Sequence, residues 1–230
     1  MNFLSTGYEP LDRMLRGGMQ RGEVTLIYGE PGTGTTSLAM QCSVLCARYG
    51  LKVLFIDSEK SFSLNRLLQI AGNTLGEVSP LIFVFKPENF EEQSILMENL
   101  ENYLPSIALI VVDTITTLYR NELGSKEKVF ILNMKLNRQL AYLNEVARSH
   151  NTAVLLTSQV HSVFQDSASE KKIQPVANRL LKYWSQKIIS LEVTTNSTIK
   201  KAVLEKGLGD VKRGVICFYL LSDDGIVKVC

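Results

Sequence analysis

The chain has 230 residues, of which 45% are apolar, and its formal net charge at neutral pH is +2. This length predicts one domain with one well-filled core, and the near-neutral charge means that any contact with DNA must come from local clusters of cations. The four cysteines and two histidines form no paired metal-ligand motif, and we find neither a leader nor an apolar run of membrane length, so we expect a soluble cytoplasmic protein without a disulfide framework or a zinc site.

The first part of the chain predicts a strand, a glycine-rich turn and a helix, in that order. A lead-in of about 22 residues contains a short helix that begins near Pro10 and ends at Gly17. The apolar run 24–28 predicts a buried strand, and residues 38–49 predict a helix that ends before Gly50.

The segment between that strand and helix is similar to a phosphate-binding loop of the pattern G-x-x-x-x-G-K-[ST]. Glycines let backbone N–H groups approach phosphate oxygens, and the helix that follows adds the positive end of its dipole. The alternative is an ordinary turn between strand and helix, but the glycine spacing and the flanking periodicity favour the phosphate loop. Its predicted nucleotide-binding residues are Gly29, Glu30, Pro31, Gly32, Thr33, Gly34, Thr35, Thr36 and Ser37.

Strands and helices continue to alternate through the middle of the chain. Further strands are predicted at 52–57, 81–85, 108–112 and 153–157, and further helices at 62–71, 89–104 and 126–149. This alternation predicts an α/β fold with a mostly parallel central sheet flanked by helices.

The pattern changes after the last of these strands. The interval 161–175 is polar and lacks apolar periodicity, which predicts a mobile loop. Four more strands are then predicted at 187–194, 198–205, 215–221 and 226–229. Because short segments connect them, we expect them to continue the sheet antiparallel at its C-terminal edge.

Polar side chains follow three of the predicted parallel strands, at the edge where open sheets bind ligands. Asp113 is predicted to hold Mg²⁺ through water while the hydroxyl of Thr36 binds the ion directly. Glu59 is predicted to orient an attacking water, and Gln159 to sense the γ-phosphate of ATP. Each of the three strand-end side chains has an alternative role as a cap or a solvated charge.

Thr35 stands where the phosphate-loop pattern has a lysine. That lysine normally bridges the β- and γ-phosphates, and the loss of one such electrostatic contact commonly slows a reaction by about 10²–10³. A threonine hydroxyl brings no charge, so we predict weak or impaired ATP hydrolysis. The alternative is a substitute cation, either Lys60 or one of Lys206, Lys212 and Arg213 from a neighbouring subunit.

In combination, several segments resemble the RecA-type recombinases, and most closely their archaeal RadB-type paralogues. They are the lead-in 5–18, the glutamate segment 55–67, the segment 113–120, the helix segment 138–143, the strand end 157–161, and the basic segments 203–206 and 212–214. The resemblance implies a RecA-like P-loop NTPase core over residues 1–230 without a separate N-terminal DNA-binding domain. It also implies ATP and Mg²⁺ as cofactors and a role in DNA repair and recombination.

The same resemblance implies partners and the residues that contact them. The expected partners are single-stranded DNA, a recombinase or junction-processing protein, and further copies of this chain, with a nucleoid-associated location. The predicted DNA-binding residues are Arg120, Lys126, Lys128, His161, Lys171 and Lys172. A basic hairpin is predicted from Lys200, Lys201, Lys206, Lys212 and Arg213. For these cations the alternatives are solvated loop charges and edge strands that carry lysine to prevent aggregation.

We therefore expect an ATP-binding recombination accessory protein with at most a weak ATPase activity. One alternative is a clock- or signalling-type RecA-like ATPase that acts on a protein and does not bind DNA. Another is a pseudo-ATPase scaffold whose nucleotide site is not used.

Overall fold

The computed structural model describes residues 2–103, 106–163, 172–207 and 214–229, with the backbone alone at 162, 163 and 172. The strands are β1 Phe3–Leu4, β2 Met19–Gln20, β3 Val24–Gly29, β4 Lys52–Asp57, β5 Ile82–Phe85, β6 Ile107–Asp113, β7 Ala153–Ser158, β8 Val160–Val163, β9 Lys172–Pro175, β10 Lys187–Val193, β11 Ile199–Lys206, β12 Ile216–Ser222 and β13 Gly225–Lys228. The α-helices are α1 Glu9–Met14, α2 Thr35–Arg48, α3 Leu64–Ala71, α4 Leu75–Val78, α5 Phe90–Glu98, α6 Thr117–Asn121, α7 Lys126–His150 and α8 Asn178–Trp184.

Within the described residues, nine strands form one sheet in the order β13-β12-β11-β10-β3-β7-β6-β4-β5. The strands from β10 to β5 run parallel to one another, whereas β11, β12 and β13 are added antiparallel. The predicted α/β fold with a mostly parallel sheet and an antiparallel C-terminal edge is thus confirmed.

Side-chain alternation along the strands divides the core into two layers. In β3, Ile27 packs into the layer that contains α1, α2 and α3, while Leu26 and Tyr28 face the layer that contains α5, α7 and α8. Successive side chains of a strand point to opposite faces, so a strand that is apolar throughout must be covered on both sides. β3 and β6 are buried along their whole length, and the two helical layers therefore enclose the centre of the sheet.

Local sequence signals explain where several helices begin. Pro10 lies in the first turn of α1, and the side chain of Asn89 accepts a hydrogen bond from the N–H of Glu92 at the start of α5. A proline in the first turn and an asparagine cap satisfy or avoid N–H groups that have no partner within the helix. The predicted helix 89–104 is too long, because α5 ends at Glu98 and a short 3₁₀ helix, Leu100–Tyr103, follows.

The structure corrects two predictions near the C-terminal half. Strand β10 pairs with β3 in parallel and not antiparallel, because helix α8 provides a crossover that the sequence pattern did not reveal. The two ends of the interval 161–175, predicted as a mobile loop, belong to the paired antiparallel strands β8 and β9, and residues 164–171 lie outside the described residues. No helix in the described part of the chain is long and apolar enough to cross a membrane.

Candidate nucleotide-binding site

Steric constraints fix the glycine-rich loop between β3 and α2. A Cβ atom at Gly29 would clash with the side chain of Thr33 and would lie 2.5 Å from the carbonyl oxygen of Leu191. Gly34, which precedes α2, has a φ of 94°, a conformation that glycine adopts without the penalty paid by other residues. The hydroxyl of Thr33 donates to the carbonyl of Glu30 at 2.7 Å and closes the turn. The close approach of Leu191 and the hydrogen bond of Thr33 thus fix the backbone conformation of the loop.

A tyrosine from the antiparallel edge of the sheet also supports the loop. The hydroxyl of Tyr219, in β12, donates to the carbonyl oxygen of Thr33 at 2.7 Å, and both residues are completely buried. In a trans peptide the C=O and the following N–H point in opposite directions, so Tyr219 also directs the N–H of Gly34 away from itself. The sequence carries no local signal for this role, because the two segments are about 190 residues apart.

A cleft of ≈ 370 Å³ opens between the loop and the ends of the parallel strands. Its walls are formed by Gly29, Glu30, Pro31, Gly32, Thr35, Thr36, Glu59, Thr114, Arg120, Ser158, Gln159 and Val160. Three predicted nucleotide-binding residues do not line it. Thr33 is buried and bonded to Tyr219, Gly34 lies against the side chain of Leu221, and the hydroxyl of Ser37 accepts a hydrogen bond from Arg66 at 3.3 Å.

The two predicted metal ligands lie close together, since the side chain of Thr36 is near enough to Asp113 to lower the pKa of its carboxyl. Thr157 also donates to Asp113, and the hydroxyl of Ser61 donates to it at 3.4 Å. Burial raises the pKa of Asp113 to about 6; the bonds from Thr157 and Thr36 oppose this shift, and the charges of Glu59 and Asp57 add to it. A threonine hydroxyl beside a carboxylate is the hard oxygen donor set that suits Mg²⁺, so these residues fit the predicted ion.

A second buried carboxylate lies next to Asp113. Asp57 is directly opposite Asp113 in the paired strands β4 and β6. It accepts backbone N–H bonds from Ser61 and Phe62 at 2.9 and 3.0 Å, and the ammonium of Lys86 is 3.4 Å away. These partners compensate a charge that would otherwise be costly to bury. The sequence analysis did not single out Asp57, although its position after an apolar strand is the same signal that identified Asp113.

The structure brings the two predicted catalytic residues together. The carboxylate oxygen Oε1 of Glu59 accepts hydrogen bonds from Gln159 Nε2 and from the hydroxyl of Thr117, both at 2.7 Å. Gln159 in turn accepts a hydrogen bond from Arg120 Nη1 at 3.3 Å. Arg120, predicted to bind DNA, therefore lies in the wall of the cleft. It is hydrogen-bonded to Gln159, which is in turn hydrogen-bonded to Glu59. The arrangement can orient a water molecule at the end of a triphosphate.

Other predicted DNA-binding residues lie outside this cleft. Lys126 and Lys128 are in the first turn of α7, and His161 is exposed on β8. Lys172 is in β9, and Lys171 lies outside the described residues. The sequence analysis missed an apolar surface next to the α7 lysines, formed by Phe130, Ile131 and Met134, which are 66%, 52% and 58% exposed.

The lysines of the predicted basic hairpin have intramolecular partners where the structure describes them. Lys206 donates to the carbonyl oxygens of Lys182 and Ser185 at 2.8 and 2.6 Å. Lys201 is 3.0 Å from the carboxylate of Glu192, and the ammonium of Lys200 donates to a backbone carbonyl of its own turn. Lys212 and Arg213 lie outside the described residues.

Comparisons with known proteins identify the family and agree with the fold. The Rad51 family matches residues 1–226, and the chain belongs to that family. The DNA repair and recombination protein RadB of Methanosphaera stadtmanae is 35% identical over 199 residues, covering 85% of this chain and 84% of that protein. The RadB protein of Methanococcoides burtonii is 32% identical over 224 residues, covering 97% and 96% of the two chains.

A solved structure of a related protein has the same fold. The crystal structure of the RadB recombinase matches with a TM-score of 0.82 and 32% identity, covering 99% of this chain and 100% of that chain. The relatives and the fold thus place the chain among the RadB-type DNA repair and recombination proteins.

Proposed function

We propose that the cleft binds ATP with Mg²⁺, and that the protein is a nucleotide-controlled accessory factor in recombination that hydrolyses ATP weakly. The observation that carries the proposal is the cleft beside the glycine-rich loop, which Thr36, Glu59 and Gln159 line together. Asp113, the proposed second ligand of Mg²⁺, is the last residue of β6, and Thr36 lowers its pKa. Bound Mg²⁺ would neutralise phosphate charge and be completed by phosphate oxygens and water.

Thr35 limits the chemistry of this site. Its side chain belongs to the wall of the cleft, so the hydroxyl is available to donate to a phosphate oxygen but adds no charge. Among the described residues, Gln159 and Thr117 both donate to Oε1 of Glu59, and in our proposal Oε2 accepts the hydrogen bond of the attacking water. Glu59 would thus be oriented as the base, but the charge of the transferring phosphoryl group would be incompletely stabilised because Thr35 is neutral.

Thr35→Lys tests this account of the cleft. We expect the substitution to raise ATP turnover by about 10²–10³, since the backbone of the loop needs no rebuilding. Adding Glu59→Gln should remove the gain. Glu88→Gln in the same background is the matched control, because Glu88 is an exposed carboxylate that pairs with Lys60 outside the cleft. Unchanged turnover in Thr35→Lys, with ATP still bound, would contradict the proposed role of position 35.

We propose that DNA binds along the first turns of α7. Lys126 and Lys128 supply positive charge there, and the exposed ring of Phe130 offers a surface on which a base can stack. Each cation that contacts a phosphate of a single strand contributes about 0.7 to the slope of log affinity against log salt. Lys126→Gln/Lys128→Gln should therefore lower the slope by about 1.4 in a fluorescence titration of a labelled oligonucleotide.

A lysine on the same helix provides the control for DNA binding. Lys135 forms an ion pair with Glu91, and Lys135→Gln should leave both the affinity and the salt slope close to those of the wild type. An affinity that is indifferent to salt, or equal losses in both variants, would contradict the α7 surface. No binding of DNA by the wild type would favour the alternative of an ATPase that acts on a protein.

We also propose a protein partner, either a recombinase or junction-processing protein or another copy of this chain. Leu64 and Leu68 are one turn apart on α3 and are 74% and 50% exposed. Adjacent leucines exposed to this extent provide apolar area that association can bury. Leu64→Ser/Leu68→Ser should weaken self-association or binding of a purified recombinase in analytical ultracentrifugation, and unchanged association in both measurements would exclude this surface.

A further inference from the structure

The described walls of the cleft contain little positive charge for a ligand as anionic as ATP. Of the described residues that line it, Glu30 and Glu59 carry negative charge and only Arg120 carries positive charge. A triphosphate bound there in water-poor surroundings requires compensating cations. Mg²⁺ at Thr36 and Asp113 supplies part of this charge, and Thr35 supplies none.

Two of the substitute cations considered from the sequence, Lys60 and Lys206, have other partners within the subunit, while Lys212 and Arg213 lie outside the described residues. Lys60 forms an ion pair with Glu88. Lys206 donates to the carbonyl oxygens of Lys182 and Ser185, near the end of α8. Neither lysine lines the cleft.

Arg120 is placed differently from these lysines. It lies in α6, the short helix that follows β6, and its side chain reaches the wall of the cleft. Its Nη1 atom donates to Gln159 Oε1 at 3.3 Å, while Gln159 Nε2 donates to Glu59 at 2.7 Å. No ion pair ties Arg120 to any carboxylate in the described ranges, which leaves its charge uncompensated there.

We propose that Arg120 binds the terminal phosphate of ATP and provides, from within the same chain, positive charge that the glycine-rich loop lacks at Thr35. Gln159 positions the guanidinium through its Oε1 atom, and the planar fork of the guanidinium suits two phosphate oxygens at once. The site would then distinguish ATP from ADP, because ADP has no phosphate at that end of the cleft. This inference rests on the proposed binding of ATP and adds the residue that recognises its γ-phosphate.

The test is the affinity of Arg120→Gln for ATP and for ADP, measured by calorimetry in the presence of Mg²⁺. We expect the ATP affinity to fall about tenfold or more, as for the loss of a charge-assisted hydrogen bond, and the ADP affinity to change by less than about threefold. Arg120→Lys should restore part of the ATP affinity, since it keeps the charge but not the fork. Arg179→Gln is the control for net charge, because Arg179 is an exposed arginine that lines a separate cavity with His161.

A double substitution provides an independent readout. In the Thr35→Lys background the loop has its own cation, so Arg120→Gln should cost clearly less ATP affinity than it does in the wild type. The inference is overturned if Arg120→Gln changes ATP and ADP affinity equally, if it changes neither, or if only DNA binding responds. It is also overturned, together with the proposed function, if the wild type does not bind ATP.

Discussion

The hydrogen bond from Tyr219 to the glycine-rich loop yields a prediction whose size follows from burial. Tyr219→Phe removes one oxygen atom and leaves the carbonyl of Thr33 without the partner that now lies 2.7 Å away. Both residues are completely buried, so water does not readily replace the lost donor. A buried acceptor left unsatisfied costs about 1–3 kcal/mol. For a domain of this size, each kcal/mol lowers the melting temperature by about 2–4 °C.

We expect Tyr219→Phe to lower the free energy of unfolding by about 1–3 kcal/mol in urea denaturation. It should also weaken ATP binding a few-fold, because the Thr33–Gly34 peptide loses its fixed orientation. Tyr183→Phe is the matched control, since Tyr183 is 75% exposed and its hydroxyl is accessible to water. That variant should stay within about 0.5 kcal/mol of the wild type. Equal stability and equal ATP affinity for Tyr219→Phe and Tyr183→Phe would refute the argument that β12 supports the loop.

Three further substitutions test two buried polar contacts and the backbone conformation of the glycine-rich loop. Lys187→Met should lower the unfolding free energy by about 3–5 kcal/mol, because the buried carboxylate of Glu23, now 3.7 Å from the ammonium, would lose its ion-pair partner. A loss below about 1 kcal/mol in urea denaturation would contradict this prediction. Gln93→Leu should lower the unfolding free energy by about 1–3 kcal/mol, since the buried hydroxyl of Ser58 would lose the acceptor that now lies 2.7 Å away. An unchanged unfolding free energy in the same assay would show that this hydrogen bond does not stabilise the fold. Gly34→Ala should abolish ATP binding and lower the melting temperature, because its φ of 94° is strained for alanine; retained ATP affinity would contradict the fixed loop geometry.

The sequence predicted the parallel part of the fold well because its strands are continuous apolar runs. β4 was predicted with the bounds that the structure shows, β6 is one residue longer at each end than predicted, and β7 is one residue longer at its C-terminal end. The errors fall where the chain lacks periodicity. Helix α8 has a single fully buried residue, Leu181, so its apolar pattern is too weak to predict a crossover, and without a crossover β10 was expected to be antiparallel.

The sequence predicted the positions of those candidate site residues that lie at or near the ends of strands and helices. Thr36 lies in the first turn of α2, Asp113 ends β6, and Glu59 and Gln159 follow the ends of β4 and β7. The topology of a parallel sheet brings such positions to one edge. Contacts from distant segments were not predictable, because nothing local in the sequence encodes them. The hydrogen bond of Tyr219 to the loop is one example. The position of Arg120 in the wall of the cleft, beside residues 39 positions further along the chain, is another.

The most direct test of the proposed function is a calorimetric titration of the wild-type protein with ATP, with and without Mg²⁺, alongside Asp113→Asn. We predict that ATP binds and that Mg²⁺ tightens the binding. Asp113→Asn should lose most of the effect of Mg²⁺, because it removes the negative charge of the carboxylate that we propose holds the ion. No binding of millimolar ATP, or an affinity that depends on neither Mg²⁺ nor Asp113, would contradict the assignment of this cleft as a nucleotide site.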